Sequence, residues 1–287
     1  MDHSAENRAG KSIQAGWSRR QMGLGLAGLI ASGGLASAAS RKPAAELLPM
    51  DQVAPERREE VREVIETFTI HRQGKPEAFP CDPNLYLALL NEPALTLSLW
   101  KDLSKAPVKL QHLGANQYYG DDGQGTTANW EFVYRSSKLH ALYCNLLHVR
   151  PKSQSKLEGR IVLLVRSDYF KPQAANEQPV IQHEVEAFVK VDSKGWRALA
   201  KTVRPILEKV LEQQVQEAGW FVSLMGRLVA QYPVWAVDVV SRDAEIPREY
   251  REYFPKVVDQ AKIADYSTGR PRMRQETAQA DSTARSR

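Results

Sequence analysis

The chain has 287 residues, 39 lysines and arginines against 34 aspartates and glutamates, a formal charge of +5, and 43% hydrophobic side chains. That length holds one sizeable core with terminal extensions, and the composition excludes a disordered, collagenous or cysteine-stapled chain. Residues 1–38 carry four of the basic and two of the acidic side chains, so the remainder is about +3 with no dense basic stripe, which excludes a nucleic-acid binder.

Arg19-Arg20 stands directly before an apolar, glycine-rich run, Met22 to Leu35, that leads into Ala36-Ser37-Ala38, a small-x-small site with Ala36 and Ala38 as its small residues. A polar region, an apolar run and a cleavage site in this order resemble a bacterial twin-arginine export signal. The run of about 14 residues is shorter than the ~20 a spanning helix needs. The resemblance implies a protein carried folded across the inner membrane by the twin-arginine machinery, periplasmic after cleavage or anchored there by an uncleaved signal.

Residues 39–54, with Pro43 and Pro49 and no periodicity, read as a linker, and a domain is expected over 55–240. Pro55 with Glu56, Glu59 and Glu60 suits a helix start, and Val61, Val64, Ile65 and Phe68 mark one face, predicting a helix over 56–68. Asp82-Pro83 predicts a second helix with Asp as its cap, and Pro93 restarts the chain as a third. From Lys109 to Val191 the pattern is that of strands: Val108–Leu113, then Trp130, Phe132 and Tyr134 alternating with Glu131, Val133 and Arg135, then Leu139–Val149, Arg160–Tyr169 and Val180–Asp192. Asp121-Asp122-Gly123-Gln124-Gly125 predicts a turn. In the last strand Ile181, His183, Val185, Ala187, Val189 and Val191 share one side, while Gln182, Glu184, Glu186 and Lys190 point to the other and into water. A long helix is predicted from Trp196 to about Tyr232, apolar nearly all round between Trp220 and Val229 and ended by Pro233. The apolar run Trp235–Val240, a helical extension over 241–264 and a polar tail over 265–287 follow.

The passage His183-Glu184-Val185-Glu186-Ala187-Phe188-Val189-Lys190-Val191-Asp192-Ser193 into the Trp196 helix, after short helices and a run of strands, resembles the end of a helix-grip domain of the START-like (SRPBCC) lipid-binding superfamily. The resemblance covers about residues 80–240 and is one of element order. It implies an α+β fold, a curved antiparallel sheet wrapped around a long C-terminal helix with short N-terminal helices, enclosing an apolar cavity. The implied function is an exported binding protein for a lipid or isoprenoid, with Trp130, Phe132, His183, Phe221, Leu224, Met225 and Leu228 as ligand-binding residues. The implied partners are that apolar small molecule, the export machinery and a membrane surface, with no nucleic acid. A filled core, with Trp220–Val229 packed on Trp235–Val240, is the alternative to a cavity.

No GxSxG, Walker A or strand-to-helix GxGxxG motif occurs, and neither a cofactor nor a metal is expected. His140-x3-Cys144-x3-His148 has metal-like spacing on a helix, but on a strand successive members lie about 13 Å apart. Cys81 and Cys144 either pair after export or stay unpaired, one in a loop and one in a strand, the second being favoured. Asp168 with Tyr169, and Arg135 with Arg160, are further polar candidates. An enzyme on the same fold would need His183, Asp168 and Glu131 to converge. An envelope protein without ligand would use Trp235–Val240 and the tail as a contact surface.

Overall fold

The computed structural model describes residues 43–104, 109–114, 116–123, 125–149, 156–171, 178–192, 212, 215, 216 and 218–263. The expected export signal, with Arg19, Arg20, Ala36 and Ala38, most of the first half of the helix expected from Trp196, and the expected 265–287 tail lie outside them.

Among the described residues the architecture is α+β, built on one large open antiparallel sheet. Its strands are β1 (Ile70–Gln73), β2 (Glu77–Pro80), β3 (Lys109–Gly114), β4 (Gln117–Asp121), β5 (Thr126–Arg135), β6 (Leu139–Val149), β7 (Lys156–Phe170) and β8 (Val180–Val191). β3 to β8 form a meander, each strand pairing with the next, and the spatial order is β1-β8-β7-β6-β5-β4-β3. β1 and β2 both pair with β8 and form one interrupted edge strand. Gln73 faces Glu186 and Glu77 faces His183, so one extra residue is inserted between them. Gly74 still follows the β1 register, its N–H reaching Val185 O at 2.7 Å, so the extra residue falls at Lys75 or Pro76; a Cβ on Gly74 would lie 3.1 Å from Val215 Cγ1. Sequence alternation reveals neither β1 nor β2, each only four residues long, nor β4, which stands between a strand and a glycine turn.

Helices cover both faces. α1 (Ala44–Leu47) and α2 (Arg58–Thr67) lie on the outer face, where Val61, Val64 and Ile65 join Val133, Ala141, Tyr143, Val162, Leu164 and Phe188. Ala44, Leu48, Met50 and Val53 are buried in the same cluster, which corrects the expected linker over its described part. The inner face carries α3 (Pro83–Asn91), α4 (Pro93–Ser104), the helical stretch 218–231 (α5), α6 (Pro233–Arg242) and α7 (Arg248–Ile263). Asp82 caps α3 through Oδ1, which accepts from Asn84 N at 2.8 Å and Leu85 N at 3.0 Å. The apolar run Trp235–Val240 is helical and lies within α6. α7 is no peripheral extension: Phe254, Val257 and Val258 are at most 1% exposed and pack in one core with α3, α5 and β8.

A solvated outer side of β8 is not what forms. Phe188 and Glu186 are buried there because α2 and the segment before it cover the sheet centre. Glu186 is held by His71 Nε2 at 2.8 Å and Arg166 Nη1 at 2.5 Å, while Glu184 stays near the edge and accepts from Gln73. Cys81 and Cys144 are buried free thiols. No described helix is long and apolar enough to cross a membrane.

Candidate functional site

Cross-strand register sorts the side chains of the inner face. Trp130 pairs with Cys144, Cys144 with Ile161 and Ile161 with Val189, so these four cross the sheet as one row. Phe132, Leu142, Leu163 and Ala187 form the next row. Both rows are apolar throughout. Trp130, Leu142, Ile161, Leu163 and Val189 are only half-buried, and so is Leu146 beside them on the same face.

Between Phe132 and Tyr134 the register of β5 shifts by one residue. Without the shift Arg135 would face outward beside Leu139. With it, Arg135 pairs with His140 and returns to the inner face, where its guanidinium lies 3.7 Å over the Phe132 ring. Around it gathers a polar cluster from four elements. Glu92, between α3 and α4, is fully buried; its Oε1 accepts from Ala94 N and its Oε2 from the Tyr118 hydroxyl, both at 3.2 Å. Burial pushes the Glu92 carboxyl up. His140 Nε2 lies 2.9 Å from Asn91 Oδ1, and burial, with Arg135 nearby, lowers its pKa to about 4. The His112 ring lies 4.9 Å from that of Tyr118. Beside this cluster opens a cleft of about 500 Å³, lined by Asn84, Leu87, Ala88 and Asn91 of α3, Arg135, Ser136 and Ser137 after the bulge, and Tyr250 and Tyr253 of α7.

His183 lies elsewhere on the same face, in a packed core. Its Nδ1 is 3.3 Å from the Tyr86 hydroxyl, which is 2.6 Å from Ser167 Oγ, and its Nε2 lies 3.8 Å from Glu77. Glu77 Oε1 accepts from Ser223 and Arg227, which ties α5 to β2. Burial lowers the His183 pKa despite Glu77. Phe221 meets Trp100 edge-on at 5.4 Å, Met225 is fully buried, and Leu224 and Leu228 pack against the same core. Of the seven expected ligand residues, then, Trp130 and Phe132 lie on the two apolar rows; the others belong to the α5 side.

His183, Asp168 and Glu131 do not converge. Asp168 is exposed, and Glu131 is on the outer face 2.8 Å from Arg57. Arg160 is also outside, bound to Asp192 and Glu63. His140, Cys144 and His148 share the inner face along a strand, and no group of three metal-binding side chains gathers among the described residues. Asp121 and Asp122 form the turn, accepting from Gly123 N and Thr126 N. Glu92, Asn91, Tyr118, Tyr250 and Tyr253 escape sequence reading. Glu92 stands before a proline and looks like helix punctuation, and the two tyrosines sit in a helix that reads as polar.

No family model and no curated protein matches the chain. Among solved structures, it is similar to a hypothetical protein of Helicobacter pylori, at 16% identity over 55% of this chain and 89% of that one, with a TM-score of 0.34. It is also similar to a protein of Rhizobium loti, at 11% identity over 54% and 97%, with a TM-score of 0.30.

Proposed function

We propose that the protein is an exported binding protein of helix-grip type that holds an apolar small molecule, a lipid or isoprenoid, against the inner face of its sheet. The observation that carries this reading is the pair of apolar rows in which Trp130, Leu142, Ile161, Leu163 and Val189 keep part of their surface uncovered. Leaving apolar area in water forfeits about 25 cal/mol per Å², which an apolar molecule bound on these rows would recover. Element order supports the same reading: an edge strand, two short helices, a six-stranded meander returning beside that edge, then a helix. The exposed Leu103, Tyr232 and Val234 suit contact with a membrane surface.

Native mass spectrometry of residues 39–287 purified from its own host tests the reading. A mass excess of a few hundred daltons, lost on denaturation, is expected, and Trp130→Ala should reduce its occupancy. An apo mass in protein that also fails to bind the neutral dye Nile red would overturn it. The export part has a separate test: replacing Arg19 and Arg20 together by lysine should retain an uncleaved precursor in the cytoplasm.

A further inference from the structure

We propose that the cleft between α3 and α7 is a second binding site and that it takes a neutral sugar carrying an acetamido group. The site uses different residues from the apolar rows and does not depend on them.

Charge narrows the ligand first. Among the described residues that line the cleft, Arg135 is the one charged side chain, and no acid is present. The Arg135 guanidinium is turned inward: it lies on the Phe132 ring and is engaged with the Tyr118 and Tyr250 hydroxyls and with Glu92. An ion entering the cleft would shed hydration without gaining a counter-charge, which is costly, whereas a neutral polar ligand needs only hydrogen bonds.

The two helical walls supply those bonds and a flat surface. Asn84, Leu87, Ala88 and Asn91 follow at helical spacing and share one face of α3, while Tyr250 and Tyr253, three apart, are neighbours on α7. Tyr253 is 50% exposed. A sugar ring carries C–H groups on its faces and hydroxyls round its edge, and the electron-rich face of an aromatic ring attracts such C–H groups. Asn91 Oδ1 lies 2.9 Å from His140 Nε2, which fixes the amide and leaves its Nδ2 donors without a partner among the described residues. Leu87 and Ala88 stand one turn before it. A donor beside a small apolar surface matches the carbonyl and the methyl of an acetamido group. Asn84 and Ser137 are exposed at the cleft and can meet ring hydroxyls. The volume of about 500 Å³ is in the range of small-molecule pockets, ~300–1,000 Å³.

The probes are N,N′-diacetylchitobiose and cellobiose, titrated by calorimetry into the protein spanning residues 39–287. The two disaccharides share ring type and linkage, and cellobiose has hydroxyls where the other has acetamido groups. The acetamido sugar is expected to bind saturably and at least about tenfold more tightly than cellobiose, the worth of one hydrogen bond and one buried methyl. Tyr253→Ala removes the half-exposed ring and should abolish this binding while Nile red binding stays as in the wild type. The sugar should not displace Nile red, because the two sites are separate. No saturation by the acetamido sugar, equal binding of the two sugars, undiminished binding in Y253A, or displacement of Nile red would each overturn the proposal. The wild-type comparison needs no variant and decides even if Y253A fails to fold. Loss of Nile red binding with sugar binding intact would strike the apolar-row reading alone.

Discussion

His140 shows how burial turns a residue into a source of acid sensitivity. Its folded pKa is near 4 because it is desolvated and lies close to Arg135, whereas the free side chain titrates near 6.5. The unfolded chain therefore takes up the proton first, and stability falls as pH drops from 6.5 towards 4, by an amount of order 3 kcal/mol. His140→Gln, whose amide can still donate to Asn91, should flatten the fall in thermal midpoint across that window; an unchanged slope would refute the assignment. Glu186 acts lower on the pH scale. Burial alone would raise its pKa, yet the hydrogen bonds from His71 and Arg166 hold it below the usual 4.5. Its contribution is present above 4.5 and is lost as pH falls through the folded value. Glu186→Ala should cost about 2–3 kcal/mol in urea unfolding at pH 7, since it strands the Arg166 guanidinium and leaves His71 Nε2 without its acceptor at a mostly buried position. The role of Glu186 was hidden in the sequence: strict alternation puts it on the polar side of β8, and only the covering of that side by α2 makes it a buried acid.

Elements were legible where periodicity is strong and both ends are punctuated. α2, α3, β6 and β8 fall within a few residues of their predicted ranges, since Asp82-Pro83, the apolar spacing of Val61, Val64 and Ile65, and long alternating runs are local signals. β1 and β2 were not legible, because four-residue strands hold no periodicity and owe their form to hydrogen bonds from β8 more than a hundred residues away. At this scale α5 offers a sharp test. Gly226 packs so closely on β2 that a Cβ would sit 3.1 Å from Cys81 Sγ and 3.7 Å from Phe79. Gly226→Val adds two further methyl groups into that contact and should destabilise the protein by about 2 kcal/mol or more, although valine has the better helix propensity. Stability equal to or above that of the wild type in urea unfolding would show that α5 is free to move off the sheet.

For the whole molecule, the helices after Pro233 belong to the domain. Ile246, Phe254, Val257 and Val258 are buried at about 1% exposure or less, and each is worth about 1.5–3 kcal/mol of burial, so together they match the ~5–15 kcal/mol total stability of a domain. A chain ending at Arg242 should therefore lose cooperative thermal unfolding; a sharp transition close to that of the longer chain would show α7 to be dispensable. The same helix supplies Tyr250 and Tyr253 to the wall of the cleft beside Arg135. By itself the sequence determined the α+β class, most strands of the meander, the helix starts and the absence of any signature of known catalysis, because these follow from near-neighbour periodicity and capping. It also named Arg135 and Phe132, without relating them. Only tertiary structure decided that both faces of the sheet are covered and that α7 is core. It also decided that one extra residue in β5 turns Arg135 inward beside Glu92 and His140. The reason is physical: burial, register and the meeting of groups forty residues apart depend on which surfaces pack together, and no local pattern encodes that.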